Sequence, residues 1–285
     1  MNTPRRVIKT FKILKNKFKD VYKYGEYTSA KIGLVNYDKL LNGKNILITG
    51  GGSGIGFCIA KKCIQLGASV IITGRDNLKL SNAIIEINSD NIKSICWDSS
   101  DLRVLSDNLN KTELMFDGDI DILINNAGVN SSEEFFNVTE DVWDRMYSTN
   151  SKGVFFLTQE ICNNWIKKNS SKIYKVINIS SQGGFIGATY PYRMTKWDIA
   201  GLTQGLGIKL APFGIIVNGI APGIIATNMQ PGIFNRKDNL YCVGNPLNRF
   251  ALPEEIAELA AFLMSDATNF IVGQTIICDG GYSLK

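Results

Sequence analysis

From residue 45 onward this chain repeats one unit: a short uninterrupted apolar run, a turn, then a stretch with helical spacing. The runs are Asn45–Thr49, Ser69–Thr73, Ile92–Cys96, Ile120–Asn125, Lys175–Ser180, Ile215–Ile220 and Thr275–Cys278. A strand with one wet face alternates apolar and polar residues, whereas a strand covered on both faces is apolar throughout. Between the runs, Ile55–Leu66, Leu78–Ile87, Glu140–Lys167, Tyr192–Leu210 and Pro253–Met264 have helical spacing. Strands alternating with helices predict a doubly wound, mainly parallel α/β sheet of seven strands with right-handed crossovers. No repeat or low-complexity linker interrupts residues 43–285, so one domain is expected there.

Residues 1–42 are of another kind. Residues 1–44 hold eleven Lys/Arg against Asp20, Glu26 and Asp38, a net of +8, while the remainder carries 20 basic and 23 acidic residues, a net of −3. Val7, Phe11, Leu14, Phe18 and Val21 recur at helical spacing with lysines between them. That pattern predicts a basic amphipathic helix, suited to the body, a sister subunit, or through residues 1–25 a membrane surface or acidic partner, with a cleaved targeting peptide as the remaining alternative. No apolar run is long enough to span a bilayer, and the N-terminus lacks the apolar core of a secretory signal. The six cysteines form no C-x-x-C pair, which fits a reducing, cytoplasmic setting. The chain contains no histidine. Ser-His-Asp triads, histidine-ligated metals and imidazole acid/base chemistry are thereby excluded, and no metal site is expected. Nothing in the charge pattern calls for nucleic acid.

Tyrosine and lysine remain as proton carriers. Tyr192 and Lys196 stand four residues apart, on one face of the expected helix. A phenol has an unperturbed pKa of about 10, and a cation one turn away is expected to draw it down toward neutrality. Upstream, Thr49-Gly50-Gly51-Gly52-Ser53-Gly54-Ile55-Gly56 links a strand to a helix, the setting in which a glycine turn offers backbone amides to phosphate. Gly50 and Gly54 would permit the turn and Gly56 a close helix–strand approach, with Gly52, Ser53 and Ile55 toward a pyrophosphate.

These segments, with Asn125-Asn126-Ala127-Gly128, Ser180-Ser181, Pro222-Gly223 and Asp279-Gly280-Gly281, occur in an order that resembles the short-chain dehydrogenase/reductase family. The resemblance covers about residues 43–283 and is to the compact single-domain branch, which includes 3-oxoacyl carrier-protein reductases and sugar or polyol dehydrogenases. It implies a Rossmann-like fold, a homotetramer or dimer, and a small carbonyl or alcohol substrate. By position it implies Tyr192 as acid/base and Lys196 as its partner and ribose ligand. Ser181 would hold the substrate oxygen, and Asn150 a water linking Lys196 to solvent. Asp98 would meet adenine, Asn126, Ala127 and Gly128 would pass beneath the adenosine ribose, and Ile220, Pro222, Gly223, Ile225 and Thr227 would frame the nicotinamide. Ser181 and Tyr192 are eleven residues apart where the family more often has about thirteen, and Tyr190 is assigned to a pocket wall. Ile224–Arg249 is expected to form a lid.

Cofactor choice turns on Thr73-Gly74-Arg75-Asp76. NAD-selective domains place an acid at the end of the second strand; here glycine and then Arg75 occupy that place, so NADP(H) is expected over NAD(H). The reading is thus an NAD(P)(H)-dependent oxidoreductase interconverting a ketone and a secondary alcohol. The alternative is a catalytically silent nucleotide-binding scaffold or sensor acting through its basic N-terminal helix.

Overall fold

The computed structural model describes residues 38–131, 133, 135–226 and 240–284. The expected amphipathic helix, Thr227 and the middle of the expected lid lie outside them. Seven parallel strands form one sheet: β1 (Asn45–Thr49), β2 (Ser69–Gly74), β3 (Ile92–Cys96), β4 (Ile122–Asn125), β5 (Tyr174–Ile179), β6 (Ile215–Pro222) and β7 (Thr275–Cys278), ordered β3-β2-β1-β4-β5-β6-β7. The helices are α1 (Gly54–Gln65), α2 (Asn77–Ile87), α3 (Leu105–Phe116), α4 (Glu140–Tyr147), α5 (Val154–Lys168), α6 (Pro191–Leu210) and α7 (Pro253–Met264). No described helix is long and apolar enough to cross a membrane. The architecture is the doubly wound, Rossmann-like one.

The two-residue period of a strand divides each apolar run between two cores. In β1, Ile46 and Ile48 join the core beneath α1, α2 and α7, while Leu47 joins the one beneath α3 and α5. The register keeps this division in line: Ile46 pairs with Val70 and Ile122, Leu47 with Ile71 and Leu123. Edge strands have less to bury, and β3 exposes Lys93 and Cys96. Several buried polar groups are paired across layers. Asn125 Nδ2 donates to Thr158 Oγ1 and Asn178 Oδ1 (both 2.8 Å), and Asn178 Nδ2 to Thr203 Oγ1 (2.9 Å). Lys175, 3% exposed on β5, donates to the Leu263 and Ser265 carbonyls and to Thr268 Oγ1 at the end of α7. This fixed cation faces the negative end of the helix dipole.

Two helices differ from expectation. The sequence pattern does not predict helix α3, because LSDNLNKTELMF carries Asp and two Asn in its first half and buries only Leu105, Leu109 and Thr112 on its inner face. The single helix expected over Glu140–Lys167 is interrupted by a π-helical turn, Ser148–Gly153. There Asn150 accepts from the Val129 N–H and donates to the Val129 carbonyl (2.9 Å each), and also donates to Thr195 Oγ1 (3.2 Å). Wide turns of this kind occur where a side chain must reach a functional loop.

Candidate active site

Strand order reverses between β1 and β4, whose crossovers leave on opposite faces, and a crevice opens at their C-terminal ends. The glycine turn after β1 lies on one side of it and Asn126–Gly128 after β4 on the other. Gly50 and Gly54 adopt φ of +67° and +57°, a region open mainly to glycine. The turn is strapped from below: Asn126 Nδ2 donates to the Thr49 and Gly50 carbonyls (2.9 and 3.0 Å). Thr49 Oγ1 accepts from the Asn126 and Ala127 amides (3.1 and 3.0 Å). Gly56 closes the fit, since a Cβ there would stand 2.4 Å from both Asn126 Nδ2 and the Gly50 oxygen. Gly51, not singled out from sequence, is pressed on β2 in the same way: a Cβ there would stand 2.5 Å from Ile72 Cγ2.

The resulting cleft has a volume of about 440 Å³. Of the residues expected there, Gly50, Gly52, Ser53, Gly54, Ile55, Arg75, Asp98, Asn126, Ala127, Gly128, Ser181, Tyr192, Lys196, Pro222, Gly223 and Ile225 line it. Gly56 and Asn150 lie behind its wall. Ile220 is fully buried in the core instead of facing the cleft, because alternation along β6 turns it inward. Lys79, Trp97, Val129 and Thr149 line the cleft without having been expected. Of these Lys79 was the most accessible to reasoning, as a cation in the first turn of the helix after Arg75.

The residues present fit a dinucleotide. Helix α1 points its N-terminus into the cleft with no acidic residue in its first turn, and the Ser53 hydroxyl makes no capping bond. Free amides, the helix dipole and a free hydroxyl together suit a pyrophosphate. At the far end, Arg75 is exposed along the cleft. The neighbouring acid also lines the cleft: Asp76 Oδ1 accepts from the Leu78 and Lys79 amides (3.0 and 3.1 Å) as the cap of α2, and its Oδ2 lies 3.7 Å from Lys79 Nζ. Asp98 Oδ1 takes the amide and hydroxyl of Ser100 (2.9 and 2.7 Å), so its second oxygen faces fewer demands.

At the other end β5 runs out into Ser180 and Ser181, which do different work. Ser180 Oγ is buried and donates to the Lys196 carbonyl (2.7 Å), pinning α6 to the sheet. Ser181 lines the cleft, accepts from the Gly183 amide (3.1 Å), and hydrogen-bonds the Tyr192 phenol. Lys196 Nζ lies 5.7 Å from the Tyr192 ring centroid and donates to the Ile179 carbonyl (3.0 Å).

The electrostatics differ from expectation. Burial pushes the Tyr192 phenol up, the Ser181 hydrogen bond draws it partly back, and Tyr190 raises it slightly. Lys196 is itself lowered to about 8 by burial. Its ammonium is turned to a carbonyl, so desolvation outweighs the pull expected of a cation one turn away. Tyr190 is not a cleft wall: it caps α6 and lies under Arg193, with the guanidinium 5.2 Å from its ring and Arg193 Nε donating to its hydroxyl (3.1 Å). Arg193 also donates to the Gly187 carbonyl (3.1 Å), and this clamp holds the shortened Ser181–Tyr192 connection.

A family model described as Enoyl-(Acyl carrier protein) reductase matches residues 50–283. Gluconate 5-dehydrogenase of Gluconobacter oxydans (strain 621H) is 32% identical over 249 residues, 86% of this chain and 96% of that protein. A 3-oxoacyl-(acyl-carrier-protein) reductase of Aquifex aeolicus (strain VF5) is 35% identical over 249 residues, 85% of this chain and 98% of its own. Among solved structures, a 3-ketoacyl-(acyl-carrier-protein) reductase from Brucella melitensis complexed with NADH superposes with a TM-score of 0.77 at 28% identity, covering 85% of this chain and 99% of that one. An actinorhodin polyketide ketoreductase with NADPH gives 0.77 at 25% identity, covering 85% and 98%.

Proposed function

The chain belongs to the short-chain dehydrogenase/reductase family, oxidoreductases of alcohol and keto groups, and from that premise we propose that it is an NADP(H)-preferring ketone reductase with Tyr192 as its acid. The observation that carries this reading is the meeting of Ser181, Tyr192 and Lys196 at one end of a cleft whose other end presents an N-terminal helix turn and Arg75. The bound nicotinamide supplies the hydride. Ser181 orients the substrate oxygen beside the phenol, and Tyr192 delivers the proton to that oxygen. Lys196 binds the ribose hydroxyls and stabilises the phenolate left behind. Asn150, held by Val129 and Thr195, would position the water that links Lys196 to solvent and resupplies the proton.

Preference for the 2′-phosphate rests on Arg75, with Lys79 as a second cation at the adenosine end; Asp76 also lines the cleft there, one oxygen capping α2 and the other 3.7 Å from Lys79 Nζ. A groove of about 990 Å³ on the outer face of α4–α6, with Tyr147, Phe155, Phe156 and Leu202 in its lining, supports homo-oligomerisation through the long helices. Tyr192→Phe tests the assignment: NADPH binding by nicotinamide fluorescence should persist while turnover falls by roughly 10²–10⁴. Undiminished turnover would remove Tyr192 from the mechanism. Tighter binding of NADH than of NADPH would overturn the cofactor assignment and leave the acid in place.

A further inference from the structure

Ten residues, 182–191, join Ser181 to Tyr192, whose hydroxyls meet in the cleft. Tyr192 is carried by the first turn of α6, but Ser181 lies beyond the end of β5, on the loop itself. A hydroxyl on a loop keeps its place only where other groups tie that loop down. Here the loop is seated on α6. Gln182–Gly184 forms a 3-10 turn pressed against the helix, and a Cβ on Gly184 would stand 2.5 Å from the Lys196 oxygen. One on Gly183 would stand 3.1 Å from Arg193 Cγ and 3.5 Å from Ser181 Oγ. Gly183 is also the residue whose amide donates to Ser181 Oγ (3.1 Å). The stem of Arg193 therefore braces the backbone group that holds the Ser181 hydroxyl.

Farther along the loop, two side chains one turn apart on α6 hold consecutive carbonyls. Arg193 Nη1 donates to Gly187 (3.1 Å) and Trp197 Nε1 to Ile186 (2.9 Å). Arg193 Nε adds the Tyr190 hydroxyl (3.1 Å), and the Phe185 ring lies 6.4 Å from that of Trp197. Neither side chain lines the cleft, and Trp197 is 48% exposed, so core packing does not account for either. What they fix is the loop. Given that Ser181 and Tyr192 act as proposed above, we propose that Arg193 and Trp197 are positioning residues, a two-point latch that holds Ser181 against the phenol through the Gln182–Tyr190 loop. With the Gly183 amide donating to it, Ser181 Oγ keeps its own proton for the substrate oxygen. Releasing the latch frees that amide and lets the hydroxyl turn away from the reacting carbonyl.

Turnover is followed by NADPH absorbance, with the ketone reduced fastest among a panel of keto acids, ketoses and β-ketothioesters. Arg193→Ala should lower kcat roughly 10–100-fold, the cost of a misplaced group, with ketone KM and NADPH affinity unchanged. Trp197→Phe keeps a ring beside Phe185 and drops the N–H; it should lower kcat about fivefold, the value of one hydrogen bond. In a Ser181→Ala background Arg193→Ala should cost less than about twofold, because the group it positions is gone. Hydrogen exchange read by mass spectrometry should quicken over residues 182–190 in both single variants and stay unchanged along α6, a readout independent of turnover. The same loss from Arg193→Ala with and without Ser181, a raised KM at intact kcat, or unaltered exchange would overturn the latch and leave Ser181 in the mechanism. A change of oligomeric state accompanying the loss would assign the two side chains to a subunit contact and overturn it equally. Full turnover by Ser181→Ala alone, or no reduction of any ketone, would remove the reading of Ser181 and the latch with it.

Discussion

Gly56→Ala adds one methyl group at the most crowded point of the glycine turn, and the structure gives its cost. The new Cβ would stand 2.4 Å from Asn126 Nδ2 and 2.4 Å from the Gly50 oxygen, and 3.0 Å from the Gly50 carbonyl carbon. Neither neighbour is the loose end of a flexible side chain, because Nδ2 is held by the Thr49 and Gly50 carbonyls. Relief requires moving both, which breaks two hydrogen bonds worth about 1 kcal/mol each. Residual overpacking adds roughly 1–3 kcal/mol. Alanine returns about 1 kcal/mol of helix propensity in the first turn of α1, leaving a net loss of roughly 2–4 kcal/mol. For a protein of this size that corresponds to a melting point lower by roughly 5–15 °C. NADPH binding should weaken as well, since the displaced Gly50 carbonyl belongs to the turn that would receive the pyrophosphate. Gly205→Ala is the control: it lies in α6 with nothing within 4 Å of its added Cβ. It should gain up to about 1 kcal/mol from propensity alone. Thermal denaturation followed by circular dichroism, with NADPH fluorescence titration, reads both variants. A Gly56→Ala protein that melts at or above the unaltered protein, with undiminished NADPH affinity, would refute the close-approach argument.

Arg75→Ser should weaken NADPH by roughly 10–100-fold, the value of charge-assisted hydrogen bonds, and leave NADH nearly unchanged in the same titration. Lys196 is lowered by burial to about 8, so it carries its charge below that pH. If that charge supports the phenolate, kcat/KM for ketone reduction declines as pH rises through about 8; a profile flat to pH 10 would exclude the role. Lys175 is likewise lowered to about 8 from 10.5 by burial. Below about 8 the folded state bears the full cost of the buried charge, and between about 8 and 10.5 the unfolded chain binds more protons, so this group's contribution to stability rises with pH. Denaturant melts should show the unaltered protein gaining on Lys175→Met across that window, by up to roughly 3 kcal/mol, and a difference that shrinks would contradict the burial argument. Arg249 grips Glu255 through two bonds of 2.8 and 2.7 Å and holds its carboxyl below the usual range. That stability is present above the unfolded carboxyl pKa and lost as pH falls through the folded one, so Arg249→Met should flatten the acid limb of a pH–stability curve.

The sequence by itself determined the strands, most helices and the order of the motifs, because these follow from local spacing. β1, β3 and β7 begin and end where their apolar runs do, and a four-residue interval on a helix puts Tyr192 and Lys196 on one face whatever surrounds them. Glycine at 50 and 54 announces a turn for the same reason. What each polar group does once the chain has folded was decided only by tertiary structure. Asn126 straps the glycine turn, Asp76 caps α2, Asp98 holds Ser100, and Ser180 pins α6 while its neighbour Ser181 faces the cleft. Ile220 turns inward, Tyr190 lies under Arg193, and the helix at Asn150 widens so that one amide can reach Val129. Asn126, Asn150 and Ser180 depend on partners 16 or more residues away and Ile220 on its burial. Asp76, Asp98 and Tyr190, by contrast, meet partners two or three residues along the chain, chosen among several local alternatives only once the fold is in place. The same holds for charge: spacing places a cation near the Tyr192 phenol, but desolvation by the packed layers sets both Tyr192 and Lys196, and no spacing in a sequence records how much water a fold removes.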